Sequence, residues 1–338
     1  MDKYKHLSTI ERTQFKYLYE EQQLSLRQCA KQMCRHPSTL SRERIRNVTA
    51  DARYEVETAE RVARRRRRPR SGARKLSTGT TLWERVVTSL RAAWSPMQTS
   101  RRLKLQADPA HVSHESIYQA IYALPKGELK AELTKLLRQA HKTRRPRSAG
   151  TKRADVLKNI TPISARPAHV EQRLIPGHWE ADLIKGKGNK SAVATLVERT
   201  TRFTILAKLP DAKASSVLEA LTASMKLLPE IMLQSLTYDR GREMAQHETL
   251  ASRLNITVYF ADPYSPWQRG TNENTNGLIR QYLPKGTDLS VHDQDYLNQI
   301  AHALNMRPRA ALNFYNPVEA FEAATGSHPA QFGVALEA

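Results

Sequence analysis

Apolar residues recur along the chain with three different rhythms. Across residues 7–47, LSTIERTQFKYLYEEQQLSLRQCAKQMCRHPSTLSRERIRN, the set Ile10, Phe15, Leu18, Leu24, Leu26, Ala30, Met33, Leu40 and Ile45 falls at helical spacing. It predicts one small core shared by three short helices. Ser8 with Glu11 and Ser25 with Gln28 stand at capping-box spacing, and Pro37 suits a first helical turn, where its missing N–H costs nothing. The third helix turns Ser38, Thr39, Ser41, Arg42, Arg44 and Arg46 outward. Three helices with a basic, hydroxyl-rich last member have the layout of a helix-turn-helix that reads a major groove; a hairpin with a solvated basic face is the plainer alternative.

The rhythm then breaks. From Arg61 to Lys75 there are nine basic residues and no acidic one, among them Arg64, Arg65, Arg66, Arg67 and Arg68. Such self-repulsion predicts a linker that tracks phosphates. A second helical pattern, TLWERVVTSLRAAWSPMQTSRRLKLQADPAHVSHESIYQAIYAL, has a helix start at Trp94, Ser95 and Pro96, and Ile117 with Ile121 facing inward on a late helix. It resembles another helix-turn-helix, with base readout and a structural role equally open. A short amphipathic helix and the run HKTRRPRSAGTKR follow and read as a second basic linker.

From about residue 171 the period shortens. GHWEADLIKG, SAVATLVERTTRFTILAKLP and MLQSLTYDRG run apolar or alternate with β-branched residues, predicting strands, the first two in a meander turning near residues 200–202. KASSVLEALTASMKLL and QHETLASRLN are helical, ITVYFADPY is a strand, and a helix follows it. This order describes an α/β layer with an antiparallel start. The expected divisions are 1–60, a helix-turn-helix domain; 61–75, an arginine-rich linker; 76–125, a second such domain; 126–170, a basic linker; and 171–338, the α/β domain.

Charge sharpens the division. Residues 1–153 carry 35 Lys plus Arg against 14 Asp plus Glu, whereas residues 154–338 carry 19 of each, so the whole +21 excess lies in the first half. A polyanion partner is implied for that half, nucleic acid before an acidic membrane. Cys29 and Cys34 have no His or Cys at metal spacing and read as packing residues in a reducing compartment. No apolar run is long enough to span a bilayer and the N-terminus lacks a signal-peptide core, so a cytoplasmic protein with no membrane partner is expected.

Three carboxylates stand at or beside predicted strand ends. Asp182 lies in the first strand, Asp239 closes the strand in LTYDRG, where Gly241 allows a tight turn, and Glu273 opens the last helix. On that helix Glu273, Asn276, Gly277 and Arg280 share one face while Leu278, Ile279, Tyr282 and Leu283 share the other. Three carboxylates on three elements suit a pair of Mg²⁺ ions, which prefer oxygen donors and can assist an in-line displacement at phosphorus. Taken singly, each could instead be a turn former or a helix-dipole partner. Glu180 is two residues from Asp182 on the same strand face and is left open as an accessory ligand, and His178 reads as a structural hydrogen-bonding residue.

WEADLIKG, TYDRGREMAQH and YFADPYSPWQRGTNENTNGLIRQYLPKGTD, with 33 residues between Asp239 and Glu273 and a helix-turn-helix in front, resemble the bacterial transposases of the IS-thirty insertion-sequence family. That resemblance implies an RNase H-like (retroviral-integrase-type) catalytic domain behind an all-α DNA-binding region. It implies Asp182, Asp239 and Glu273 as the metal-binding catalytic triad with two Mg²⁺ ions, Mn²⁺ a possible substitute. It implies Arg280 at DNA phosphate and Asn272 and Asn276 supporting the metal site or touching DNA. Trp267, Gln268 and Arg269 would hold a displaced strand end, with packing equally open for Trp267. The implied activity is strand cleavage and strand transfer on double-stranded DNA, at terminal inverted repeats and a target, by a homodimer or higher oligomer through a circular intermediate. A DNA-binding regulator without catalysis and a metal-dependent nuclease without strand transfer are the alternatives.

Overall fold

The computed structural model describes residues 6–47, 53–67, 76–107, 111–137, 157, 159–263 and 265–333. The chain divides into two compact units, Met1–Arg74 and Lys75–Ala338.

The first unit contains α1 (Thr9–Lys16), α2 (Leu26–Gln32), α3 (Pro37–Asn47) and α4 (Val56–Arg67). Both expected capping boxes form, Ser8 with Glu11 and Ser25 with Gln28, fixing where α1 and α2 begin. Phe15, Leu18, Ala30, Met33 and Leu40 are buried, joined by Cys29, Tyr54 and Ala59. Ile10 and Ile45, expected in this core, are 81% and 78% exposed. Helical spacing over so short a unit does not fix which face turns inward, and polar contacts decide it. Arg12 is buried and pairs with Glu43 of α3 and Glu60 of α4, and Glu43 also accepts from the Tyr54 hydroxyl. Cys34 is exposed, so only Cys29 is a packing residue.

The arginine run departs from its expected linker form: α4 continues through Arg67, and Arg68 lies outside the described residues. Ala59 anchors the helix in the core, and Arg66 donates to Asn47 Oδ1 at 2.9 Å and to the Arg46 carbonyl. Repulsion among the arginines is tolerated because Arg64 and Arg65 remain solvated on the helix surface.

The second unit begins with four helices, α5 (Thr81–Arg91), α6 (Pro96–Leu105), α7 (His114–Ala123) and α8 (Glu128–Leu136). Ser95 caps α6 in a box with Gln98, and Ser113 caps α7. Trp83, Val86, Leu90, Leu103, Ile117, Ile121 and Leu133 form their core. The presence of Leu133 there makes α8 part of this helical body rather than of a linker; the basic run after it lies outside the described residues. Arg102 of α6 pairs with Glu319, and Gln98 binds the Pro308 carbonyl and Arg307, tying these helices to the end of the chain.

The remaining elements are β1 (Thr161–Pro162), α9 (Ala168–Gln172), β2 (His178–Lys185), β3 (Ala192–Glu198), β4 (Thr204–Leu209), α10 (Ala214–Lys226), β5 (Ser235–Tyr238), α11 (His247–Leu254), β6 (Thr257–Phe260), α12 (Gly270–Ile279), α13 (Gln294–Asn305) and α14 (Pro317–Thr325). One sheet runs β1-β6-β5-β2-β3-β4, with β2, β3 and β4 antiparallel and β2-β5, β5-β6 and β6-β1 parallel. The meander and the alternation that follows are those the apolar runs predict. The sheet starts earlier than expected, at Thr161, because two residues flanked by Ile160 and Ile163 suffice to pair with the β6 edge. Seven of the ten residues of α12 are Gly, Thr or Asn, so its intrinsic helix propensity is poor and the surrounding protein must hold it in place.

Candidate active site

The site is assembled at the middle of the sheet. β2 and β5 are parallel neighbours with Glu180 opposite Thr237, so two residues further along each chain Asp182 comes level with Asp239. Glu180 and Asp182 point to one face of β2, as residues two apart in a strand must. α12 lies on that face: its Asn276 donates to Asp182 Oδ2 at 2.9 Å, and the backbone N–H of Asn272 donates to Glu180 Oε2 at 2.8 Å.

Arg269, just before α12, joins the two aspartates. Its Nη2 is 3.3 Å from Asp239 Oδ2, its Nη1 is 3.9 Å from Asp182 Oδ1, and Nη1 also donates to the Ala181 carbonyl at 3.1 Å. Burial pushes the Asp182 carboxyl above its ordinary range; Asp239 and Glu243 push it the same way and Arg269 opposes them. Two carboxylates that repel each other across a half-buried space, bridged by a cation, form a donor set suited to a hard metal ion.

Glu273 is exposed on α12. Arg269 four residues before it and Asn276 three residues after it both reach Asp182, so Glu273 lies between them on the helix face turned toward the aspartates. Among the described residues no three His, Cys, Asp or Glu side chains stand close enough together to hold a metal ion. The structure thus brings Asp182 and Asp239 together and places Glu273 on the facing helix without drawing its carboxylate in.

The remaining expected residues divide sharply. Glu180 is fully buried, held by Arg199 and by Asn272 N–H, so it has no oxygen turned to a metal; it fixes the first turn of α12 instead. Asn272 is buried and accepts from Thr195 Oγ1, away from any DNA surface. Arg280 donates to the Lys185 carbonyl at 2.9 Å and the Leu283 carbonyl at 3.3 Å, and burial lowers its pKa. Gln268 binds Asp262, and Trp267 is 73% exposed. His178 bonds to Ser235 Oγ at 2.7 Å, and burial with nearby cations lowers its pKa to about 4, so its ring is neutral. Asp239 Oδ1 accepts from Gly241 N–H at 3.0 Å; Gly241 has φ −70°, and a Cβ there would come within 2.6 Å of the Glu243 carboxylate, which would have to shift. On α3 Arg42 and Arg46 are exposed and joined by Ile45, Ser38, Thr39 and Ser41 are partly buried, and Arg44 stacks 4.8 Å over the Tyr19 ring.

With this geometry in hand, relatives decide the family. An integrase core domain model matches residues 174–266 and a helix-turn-helix domain model matches residues 3–47. The transposase of insertion sequence element IS1086 from Cupriavidus metallidurans is 48% identical over 94% of this chain and 94% of its own. Transposase InsI of element IS30A from Escherichia coli is 40% identical over 88% of this chain and 79% of its own. The chain belongs to the IS30 family of insertion-sequence transposases. Among solved structures, the catalytic core domain of BIV integrase covers 44% of this chain and 96% of its own at 19% identity, with a TM-score of 0.35. The transposase accordingly has an N-terminal helix-turn-helix and an integrase-type core on a mixed sheet.

Three residues of the candidate site are brought there by the fold and carry little local sequence signal for it. Arg269 is expected at DNA, yet its guanidinium faces the aspartates; a period-based projection cannot show this because Arg269 precedes the helix. Arg199, buried against Glu180, follows a strand and reads as a turn residue. Glu243, 3.9 Å from Lys185, stands close enough to raise the Asp182 pKa, and the only signal for it is its place in TYDRGREMAQH.

Proposed function

We propose that this IS30-family transposase cuts the terminal inverted repeats of its insertion sequence and joins the freed ends to new DNA, with Asp182, Asp239 and Glu273 as the acidic triad. The observation that carries this reading is the parallel β2-β5 pair, which sets Asp182 beside Asp239 with a cation between them and α12 overhead. Asp182, Asp239 and Glu273 would hold two Mg²⁺ ions, with Mn²⁺ as substitute. Bound there, such ions supply Lewis-acid activation of an attacking oxygen and stabilisation of the departing one.

The chain's own residues do the rest. Asn276 fixes one oxygen of Asp182 and leaves the other, Oδ1, toward the site, where Leu183 N–H also reaches it at 2.8 Å. Glu180 and Arg199 lock the start of α12 so that Glu273 has a defined position. Water attacks a phosphodiester and the leaving strand departs with a 3′-OH; that hydroxyl then attacks a second phosphodiester and releases another 3′-OH. No bond to the protein forms, so no Ser or Tyr nucleophile is required. Arg42 and Arg46, exposed on α3 with Ser38 and Ser41 partly so, address the major groove, Arg64 and Arg65 of α4 supply sequence-independent affinity, and Trp267 offers an exposed ring to an unpaired base. Pairing two ends calls for at least a dimer.

The test is cleavage of a duplex bearing an element end, with Asp182→Asn and Asp239→Asn beside the native chain in Mg²⁺. Each substitution is expected to lower cleavage about a thousandfold, several kcal/mol of transition-state stabilisation, with end binding retained. Either variant cutting at the native rate would remove these residues from the chemistry.

A further inference from the structure

Two arginines meet at the start of α12 on one hydroxyl and, among the described residues, neither forms an ion pair. Arg202, in the β3-β4 turn, donates from Nη1 to Thr271 Oγ1 at 2.8 Å, and Arg173, which ends α9, donates from Nη2 to the same oxygen at 3.3 Å. Among the described residues neither has a carboxylate within ion-pair distance, whereas the neighbouring Arg166 and Arg199 pair with Glu171 and Glu180. The nearby carboxylates are already engaged. Glu180 holds Arg199 and the Asn272 N–H, and Glu198 accepts from the backbone of Gly177, Thr200 and Thr201 and from the Thr201 hydroxyl. Burial and the adjacent Arg173 bring the Arg202 pKa down to about 10, opposed by Glu180 and Glu198, and the Arg202 Nε is buried without a partner.

The backbone adds a second cost. Arg202 has φ 64° and Arg173 has φ 56°, the left-handed region that favours glycine. Both positions suit glycine, one in a hairpin turn and one at a helix C-terminus, yet both present a guanidinium. Like charges gathered by strained backbones on one hydroxyl have the chemistry of a site that awaits an anion, and arginine's fork suits phosphate oxygens. Thr271 is in the first turn of α12, the helix that lies over Asp182, so such an anion would sit at the N-terminal end of that helix, on the side of the β3-β4 turn.

We propose that Arg173 and Arg202, converging on Thr271, form a subsite for one backbone phosphate of the DNA strand that crosses the Asp182–Asp239 pair. The proposal rests on the reading of this face as the one that handles DNA ends. It assigns a positioning task to the β3-β4 turn and the end of α9: clamping a phosphodiester on the same strand as the one that is cut.

The test uses the full chain and an element-end duplex in EDTA, so that binding is read without cleavage. Fluorescence anisotropy across a KCl series would compare the native chain with Arg173→Gln, Arg202→Gly and the double variant. Glycine accepts φ 64° without strain, so R202G keeps the turn, and circular dichroism checks it. The double variant is expected to lose about one unit of the log K against log [salt] slope, as for one phosphate contact. Arg173→Lys with Arg202→Lys should restore the slope, because the charge returns. Single methylphosphonate substitutions along the strand should weaken native binding at one position, and that position should become silent in the double variant. An unchanged slope and an unchanged methylphosphonate pattern in a folded double variant would overturn the subsite. No binding of element ends by the native chain would instead overturn the functional reading beneath it.

Discussion

Replacing Arg269 with Gln tests whether the guanidinium is the counter-charge of the aspartate pair. At separations of 3.3 and 3.9 Å from Asp239 and Asp182, the gross attractions are ~5 and ~4 kcal/mol at an effective dielectric of about 20. The Asp239 side chain is 43% exposed, so solvent screens most of this. A net loss of ~1–2 kcal/mol is the reasonable expectation, a fall of a few degrees in Tm. The sign with pH follows from Asp182. Its folded pKa already lies above the unfolded value, so the native state holds its proton more tightly and stability declines as pH rises through the folded pKa. Removing Arg269, which opposes that rise, raises the pKa further. The Tm deficit of R269Q relative to the native chain should therefore grow as pH rises through the folded Asp182 pKa and on toward pH 8. Added Mg²⁺ should shrink the deficit at pH 8, since a cation can take over the guanidinium's place. Thermal melts of both proteins across this range, with and without Mg²⁺, measure it. A deficit independent of pH and untouched by Mg²⁺ would refute the argument.

Two other substitutions probe the scaffold under the site. Glu180→Gln should cost about 3–5 kcal/mol by leaving Arg199 buried and uncompensated, and adding Arg199→Met should return most of it; a urea midpoint equal to the native one for E180Q would show that the pair does not anchor α12. His178, held neutral with its pKa lowered from the ordinary 6.5 to about 4, should cost the native chain ~2–3 kcal/mol as pH falls across that window, because only the unfolded state takes the proton. His178→Asn should flatten that part of the stability profile measured by denaturant titration, and an unaltered profile would remove His178 as its source.

Helical and strand periodicity made the architecture legible wherever one face of an element is buried. The capping boxes at Ser8 and Ser25, the meander and the alternation after it are local signals, and the structure follows them. Periodicity was least informative where a long-range contact outweighs a local preference. Arg61–Arg67 is helical because Ala59 and Arg66 tie it to the core, and Thr161–Pro162 is a strand because β6 offers an edge. Asp182, inside a strand, and Asp239, directly after one, were legible as carboxylates placed by strands. Which cation faces them was not, because Arg269 reaches them across the sheet rather than along the chain. Glu180 and Asp182 look equivalent two residues apart in one strand; only the packing of Arg199 and Asn272 separates a buried anchor from an open carboxylate.

The proposed acidic triad is tested most directly at Glu273, which is exposed on α12 and not gathered with the two aspartates. A strand-transfer reaction with a pre-cut end carrying a free 3′-OH, run in Mg²⁺ with the native chain and Glu273→Gln, isolates the joining step. Joined product should fall about a thousandfold in the variant while anisotropy reports unchanged end binding. Joined product at the native level from Glu273→Gln would contradict the account.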